Sequence, residues 1–570
     1  MIERQPYVPP TTEPTSTHSR RWQDVLRFAD LLLRAAERDP GHEAVVFWRR
    51  SRRTYSELER RAFAVARSLR AMGVGPRSRV GILMPNCAEF VELLFGISLL
   101  GAVMVPINAR FAPRELGYVV ENGDLEVVFT SDEIVEHADY VARLHEALPT
   151  LSTLEPSSVV SVPEVPFLRS IVLFGERDAA GMMGDREFWS LGESVTDEDV
   201  LDCHRRTSVR EVALNMYTSG TTAQPKGCLL SHEALVRTAM MAGRTRFHLT
   251  SGDRFWDPLP MFHMSAILPI IGLFDAGATF LSMTHFDATE GLAMIEQERA
   301  TVSYATFPAI TQALLNHPDY RPDSFKRVRC INNVAPPDTL REMQERMPYT
   351  LQMSSYGLTE CGGVIAFNGP EDTDEQRNTT GGLPFDGIEV EIRDLETGER
   401  LGADAAGEIV VRGYCVCDGY YKDPERTAAV LDPDGWFHTG DIGSLTPEGR
   451  IRYLGRTKDM LKVGGENVAA IEIESYLGTH PAVSIVAVVG VPDPKYMEVP
   501  AAFIQLRPGH TLTEGEVVGY CRGGLASFKV PRHVRFVDSW PMSATKIQKF
   551  RLQQTLSEEL AAARAGAPAS

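Results

Sequence analysis

The sequence predicts an α/β chain: a large N-terminal domain of two βαβ-type subdomains plus a small β-barrel, followed by a small α+β C-terminal domain. Three observations carry this expectation. At 570 residues the chain is too long for one hydrophobic core of ordinary size. From 40 to 290, and again from 300 to 355, helical periods alternate with short apolar runs, the pattern of stacked βαβ units with largely parallel sheets. After about 380 the texture changes to short strands with close turns, and beyond 459 to a compact mixture of strands and helices.

Taken in chain order, the elements read as follows. The opening MIERQPYVPPTTEPTSTHSRRW is polar and rich in proline and threonine, without an apolar h-region. Residues 1–24 are therefore expected to be a flexible arm rather than a signal peptide. Arg49, Arg50, Arg52 and Arg53 flank Ser51 and predict an exposed hairpin before RTYSEL. TYSELERRAFAVARSLRAMG has a helical period, and RVGILMP, VMVPI and LEVVFTS read as buried strands. The uncharged run 93–109, LLFGISLLGAVMVPINA, barely reaches spanning length and is broken by Pro106. It reads as a buried helix ending near Gly101 and then a buried strand. GIEVEIRDLETGERL, GEIVVRG and GRIRYLGR predict a meander or small barrel. The charged, then glycine-rich GRTKDMLKVGG reads as a hinge, with a large domain over 25–457 before it and a small one over 458–555 after it. IEIESYLGTH, VSIVAVVGV, AAFIQL and a C-terminal helix fill the small domain, and 556–570 is a tail.

Composition narrows the function. Apolar residues are 43% and charged residues 24% of the chain, which is globular and soluble. The net charge of −18 opposes a nucleic-acid surface, because phosphate backbones need a basic face. Eight cysteines lack paired spacing, and Cys415 and Cys417 are too close for a zinc knuckle. Reduced thiols in a cytoplasmic protein are expected.

The densest chemical signal is MYTSGTTAQPKGCLLSH at 216–232. Thr218, Ser219, Thr221 and Thr222 surround Gly220, and Lys226 stands between Pro225 and Gly227. Amides freed by glycine, hydroxyl donors and one point charge suit a polyanion. The stretch is not a Walker A loop, which needs glycine before the lysine and serine or threonine after it. Ser219 is not in a G-x-S-x-G elbow. His232–Glu233 starts like HExxH, but Val236 occupies the second histidine position.

YTSGTTAQPKG resembles the signature loop of the adenylate-forming (ANL) superfamily: acyl-CoA synthetases, luciferases and peptide-synthetase adenylation domains. YGLTE (356–360), GWFHTGD (435–441), GRTKDMLKVGGENV (455–468) and PMSATKIQKF (541–550) follow in that family's order and spacing. The resemblance covers about 25–555 and is closest to the acyl-CoA synthetase, or fatty-acid-CoA ligase, branch. It implies an AMP-binding adenylation domain over 25–457 and a mobile C-terminal domain over 458–555. The implied reaction has two halves. A carboxylate attacks the α-phosphorus of ATP to give acyl-AMP and pyrophosphate, and a thiol then displaces AMP.

The same resemblance assigns residues. Thr218, Ser219, Gly220, Thr221, Thr222 and Lys226 would hold the β- and γ-phosphates, with Ala223 where glycine is usual. In SYGLTE, Ser355 and Gly357 flank Tyr356, which would stack on adenine. Thr359 would bond phosphate and Glu360 would hold Mg²⁺. Val334, Ala335 and Pro336 would form the adenine wall, with Asn332 and Asn333 replacing the usual glycines. Asp441 and Arg456 would bind the ribose. Lys546 would be the catalytic lysine, neutralising charge between carboxylate and α-phosphate, with Thr545 before it where the family has glycine. Lys549 is the competitor should the alignment slip. Lys458 would be the hinge, and Gly464 and Gly465 would line the pantetheine channel.

PLPMFHMSAI (258–267) would line the acyl pocket. His263 stands where amino-acid-activating relatives have an aspartate for the substrate ammonium, which argues against an amino acid. His263 is expected to gate or wall the carboxylate. Met264, Tyr304, Phe307, Cys361, Gly362 and Gly363 would complete a mostly apolar pocket, with Gly362–Gly363 leaving depth for a medium-chain, aromatic or alicyclic acid. ATP, Mg²⁺ and CoA are the expected cofactors, and a small-molecule carboxylic acid is the expected substrate. No nucleic acid and no membrane span are expected, and a homodimer is compatible with the sequence. Two alternatives stay open: an acyl- or aryl-AMP ligase that loads a carrier protein, which is the less favoured acceptor, and a non-catalytic nucleotide-binding relative.

Overall fold

The computed structural model describes residues 26–157, 159–218, 224–456, 459–463, 466–493, 496–522, 524–542 and 547–565. Two seven-stranded sheets dominate the large part. The first runs in the order Met183–Gly184, Ser170–Phe174, Val127–Ser131, Arg79–Leu83, Val103–Pro106, Val212–Thr218 and Lys226–Ser231. Its strands pair in parallel except the last two, which form an antiparallel hairpin. The second runs Leu351–Met353, Cys330–Asn333, Val302–Thr306, Arg254–Trp256, Thr279–Ser282, Glu43–Phe47 and Ser51–Thr54. The α/β class and the buried strands expected from RVGILMP, VMVPI and LEVVFTS are as observed.

Helices explain why both sheets are apolar on their faces. Ala88–Leu99, from the run 93–109, is buried on nearly every side, as a helix between two layers must be. Met264–Ala276 is equally apolar despite Pro269, and ends on Gly277 at φ +74°, a left-handed cap that glycine adopts without strain. Phe95 and Phe274 stack at 4.9 Å across these two helices, and Phe28 packs on Phe95 at 4.9 Å. The helix Tyr55–Ala71 starts at a capping box in which Thr54 accepts from the Glu57 N–H and the Glu57 carboxylate accepts from the Thr54 N–H.

The expected arginine hairpin forms, as Glu43–Phe47 against Ser51–Thr54. It is not a free basic patch. Arg52 bonds to Glu43 at 2.9 Å and to Glu298, and Arg53 bonds to the fully buried Glu92 at 3.1 Å. Arg61 holds the other oxygen of Glu92 at 2.9 Å.

A four-stranded sheet, Ile388–Arg393, Gly407–Gly413, Phe437–Leu445 and Ile451–Arg456, runs in chain order and is the expected meander. Beyond it, Glu466–Ala469, Met460–Val463, Met497–Leu506 and Val483–Asp493 form a sheet, with His533–Phe536 added beside Met497–Leu506. The helices Ala470–Gly478, Glu514–Arg522 and Lys549–Ala565 complete this α+β section. By compactness the chain separates into two units. One comprises the described residues up to Ala335, with Leu340–Glu389 and Val411–Phe437. The other comprises Pro336–Thr339, Val390–Val410 and the residues from His438 onward. No helix of the described residues is long and apolar enough to cross a membrane.

One buried ionic cluster is expected to make the first unit acid-sensitive. His204 Nε2 lies 2.7 Å from Asp30 Oδ1, Arg27 Nε donates to Asp30 Oδ2 at 3.0 Å, and the Phe28 N–H donates to His232 Nδ1 at 3.1 Å. Burial, with the neighbouring His204, pushes the His232 imidazole down to about 3. Burial tends to raise the Asp30 carboxyl, but its hydrogen bonds to His204 and Arg27 outweigh that and hold it well below the carboxylate range. The unfolded chain therefore takes up the histidine proton first, so this stabilisation is complete above about pH 6.5 and is lost as pH falls towards 3. About 2 kcal/mol is expected to disappear between pH 6.5 and 5. Unfolding curves at the two pH values measure it. A His232→Gln chain that keeps the wild-type slope would refute the assignment.

Candidate active site

The strands Val212–Thr218 and Lys226–Ser231 put the 216–232 motif at the end of a sheet, with Thr218 directly opposite Lys226. Ser219, Gly220, Thr221 and Thr222 lie outside the described residues, as do Lys458, Gly464, Gly465 and Lys546. The described flanks still define the chemistry. Among the described residues Thr218 Oγ1 is buried without a hydrogen-bond partner, a donor suited to an anion. Lys226 Nζ sits 2.8 Å from Glu360 Oε1 and donates to Tyr420 Oη at 2.6 Å. Tyr420 Oη in turn donates to Glu360 Oε1 at 2.9 Å. Burial tends to raise the Glu360 carboxyl, but the Lys226 ammonium beside it wins and holds it below its usual value. The ion pair brings together the two residues expected to meet phosphate and magnesium. A buried carboxylate beside the phosphate lysine fits a hard cation accompanying a nucleotide.

Glu360 is held by its local chain. Thr359–Cys361 is one turn of 3₁₀ helix, and the Gly362 and Gly363 N–H groups bond back to Thr359 and Leu358. A Cβ on Gly357 would meet Gly363 O at 2.3 Å, so YGLTE folds tightly onto the residues that follow it. Ser355 and Tyr356 are buried in a short strand paired with Ala366–Phe367. Val334 is exposed, while Ala335 and Pro336 are half-buried.

Asn332 and Asn333, which stand where the resemblance implies glycines, both use their side-chain amides. Asn332 Nδ2 donates to Thr306 Oγ1 at 3.1 Å, and Ser355 Oγ donates to Asn332 Oδ1 at 3.4 Å. Asn333 Nδ2 donates to Gln352 Oε1 at 2.8 Å and its Oδ1 accepts from Thr311 at 2.7 Å. The two amides tie neighbouring strands together beneath Ser355. Thr306 itself has φ +46°, a strained conformation for a β-branched residue, immediately before Phe307.

On the acyl side, His263 caps the helix Met264–Ala276, with its ring 5.8 Å from that of Phe262. Tyr304 is buried against Phe255 at 5.7 Å and Phe247 at 6.1 Å. Burial and the neighbouring Asp257 raise its hydroxyl pKa. Two expectations need correction here. Gly362 and Gly363 do not leave depth: a Cβ on Gly363 would meet Met264 Cβ at 3.2 Å, and one on Gly362 would meet Thr238 Oγ1 at 3.1 Å. With φ of +72° and +99°, they serve a tight left-handed turn against two helices. Cys361 does not face an open pocket either. It is fully buried with Cys415 as a neighbour, just as Cys228 has Cys417. Burial raises the Cys228 and Cys361 thiols, so these are packing groups rather than nucleophiles.

In the second unit, Asp441 and Arg456 are direct cross-strand partners, with Arg456 Nε 3.1 Å from Asp441 Oδ1. Thr439 Oγ1 donates to Ile409 O at 2.6 Å and accepts from the Asp441 N–H at 3.0 Å. Gly440 turns at φ +68°. This fixes a carboxylate and a guanidinium side by side, the pair expected for two ribose hydroxyls. Lys549 pairs with Glu474 at 2.7 Å in the same unit. Among the described residues no three metal-ligating side chains gather into a cluster. Sequence reasoning missed Tyr420, which carries no motif beyond the doublet Tyr420–Tyr421.

Comparison with known proteins identifies the family. Residues 32–421 match the model of the AMP-binding enzyme family, and 472–546 match that of the AMP-binding enzyme C-terminal domain. The chain is 34% identical over 522 residues to a Mycobacterium tuberculosis protein named 3-[(3aS,4S,7aS)-7a-methyl-1,5-dioxo-octahydro-1H-inden-4-yl]propanoyl:CoA ligase, covering 90% of this chain and 96% of that one. It is 30% identical over 545 residues to the mitochondrial medium-chain acyl-CoA ligase ACSF2 of Rattus norvegicus, covering 92% and 86%. The crystal structure of ATP-bound MatB from Rhodopseudomonas palustris superposes with a TM-score of 0.80 at 26% identity, covering 94% of this chain and all of that one.

Proposed function

The chain belongs to the AMP-binding enzyme family, in its acyl-CoA synthetase branch, and from that premise we propose how its residues carry out an ATP-dependent acyl-CoA ligase reaction. The enzyme activates a carboxylic acid as acyl-AMP with release of pyrophosphate, then passes the acyl group to the thiol of CoA. Both partners of the first half are anions, so charge must be cancelled before they meet. Lys226, Thr218 and the loop 219–222 hold the β- and γ-phosphates. Glu360 would hold magnesium, which would supply further neutralisation of the phosphates. Tyr356 with Val334, Ala335 and Pro336 takes the adenine, and Asp441 with Arg456 takes the ribose. Lys546 enters between carboxylate and α-phosphate. The domain 458–555 then turns about Lys458 so that Gly464 and Gly465 admit the pantetheine arm, which needs backbone without side chains.

The observation that carries this reading is the Lys226–Glu360 pair: one cation for phosphate and one carboxylate for a metal, 2.8 Å apart beside the signature loop. The acid is read as medium-chain, aromatic or alicyclic. His263 in place of an ammonium-binding aspartate and the aromatic surroundings of Tyr304 support an uncharged acyl body, as do the names of the rat and mycobacterial relatives. The test is a panel of such acids scored for AMP release with ATP and magnesium, with free CoA in one arm and a holo-carrier protein in the other. AMP release that needs an acid and free CoA is expected. Release only with the holo-carrier would move the acceptor, and no acid-dependent ATP–pyrophosphate exchange with any acid would end the reading.

A further inference from the structure

The Lys226–Glu360 pair raises a problem that its own geometry answers. A single oxygen, Glu360 Oε1, accepts from both Lys226 and Tyr420. When a triphosphate draws the Lys226 ammonium away, the Glu360 carboxylate is left buried with one fewer partner. An unsupported buried carboxylate is costly and free to turn. We propose that Tyr420 is a positioning residue of the nucleotide site: its hydroxyl keeps Glu360 aimed for a metal-bound nucleotide after Lys226 has moved to the phosphates. The proposal rests on the reading that Lys226 meets phosphate and Glu360 meets magnesium.

Three features suit Tyr420 to this. Its phenol touches both charged groups, donating to Glu360 at 2.9 Å and accepting from Lys226 at 2.6 Å, with the ammonium 4.2 Å from its ring centroid. Its main chain is braced to the strand that carries Lys226. Tyr420 pairs with Cys228, the Leu229 N–H donates to Gly419 O at 3.0 Å, and the Tyr421 N–H donates to Gly227 O at 2.7 Å. The same segment is braced to Glu360, because the Cys417 N–H donates to Glu360 O at 2.8 Å. Residues 417–421 therefore bridge both halves of the ion pair, and the phenol projects from the middle of that bridge. The Tyr420 N–H donates to Thr427 Oγ1 at 2.9 Å, which pins the far side. Next to it, Gly419 sits at φ +110°, where a Cβ would meet Thr427 Cγ2 at 2.5 Å. No mobile loop is needed, so the hydroxyl is in place before the nucleotide arrives.

The test is calorimetric binding of a non-hydrolysable ATP analogue, with and without magnesium, to wild type, Tyr420→Phe and Glu360→Gln, alongside steady-state kinetics. Tyr420→Phe is expected to weaken binding about tenfold with magnesium and less than twofold without it. KM for ATP should rise while KM for the acid stays constant. Equal weakening in both arms, or none in either, overturns the inference, because a merely structural phenol would not discriminate between them. Glu360→Gln separates the two levels. It is expected to erase the magnesium dependence. If that dependence survives in Glu360→Gln, the underlying metal assignment fails. If it is lost there but intact in Tyr420→Phe, only the Tyr420 role fails.

Discussion

Lys546→Ala is expected to lower acyl-AMP formation about a thousandfold, the scale for removing one group that stabilises transition-state charge. It should leave thioester formation from supplied acyl-AMP within a few-fold of wild type. The reason is electrostatic. Carboxylate and α-phosphate repel, and a cation between them is worth more in the reacting geometry than in the ground state. In the second half a thiol displaces AMP from a neutral anhydride carbon, and no such repulsion exists. Measuring pyrophosphate exchange and AMP release from synthetic acyl-AMP separates the halves. Equal loss in both would refute the role. Lys549, the other lysine in reach by sequence, is committed to Glu474 at 2.7 Å, so Lys549→Ala should not reproduce this split.

The second large effect concerns the Lys226–Glu360 pair, where the two partners are not equivalent. Glu360 is buried, with its side chain 11% exposed, and Lys226 is 20% exposed. Lys226→Ala leaves a carboxylate in the interior without its countercharge, held by the Tyr420 hydroxyl and its own backbone amide. About 3–5 kcal/mol of stability should be lost, together with nucleotide binding. Without the ammonium, burial raises the Glu360 carboxyl above its unfolded value, so the folded state binds the extra proton. The deficit should therefore grow as pH rises and shrink as pH is lowered from 8 towards 5. Glu360→Gln removes the buried charge and keeps the shape, so stability should fall by only about 1 kcal/mol while activity collapses. Chemical unfolding of both variants at two pH values measures the asymmetry. Equal, pH-independent losses would show that the pair is structural and screened.

The elements were legible where the signal is local. The helical period of TYSELERRAFAVARSLRAMG, the continuous apolar runs at 79–83, 103–106 and 127–131, and the short strands with close turns after 380 are each patterns of a few residues, and they stand where the residues put them. Lys226, Glu360, Asp441 and Arg456 were legible because each sits in a short stretch with its own composition. Asp441 and Arg456 also fall opposite one another in a hairpin, a short-range pairing.

Sequence by itself thus determined the α/β class, the family and the charged groups proposed to meet ATP. Tertiary structure alone decided what stands between them. Tyr420 reaches Lys226 across 194 positions and Glu360 across 60, and no period or motif links residues so far apart. Four scattered cysteines become buried neighbours, two glycines read as open space turn out to be tight packing, and two asparagines tie strands together. The physical reason is range: backbone preference and hydrophobic period act over one or two turns, whereas a hydrogen bond between distant side chains exists only once the sheets have stacked.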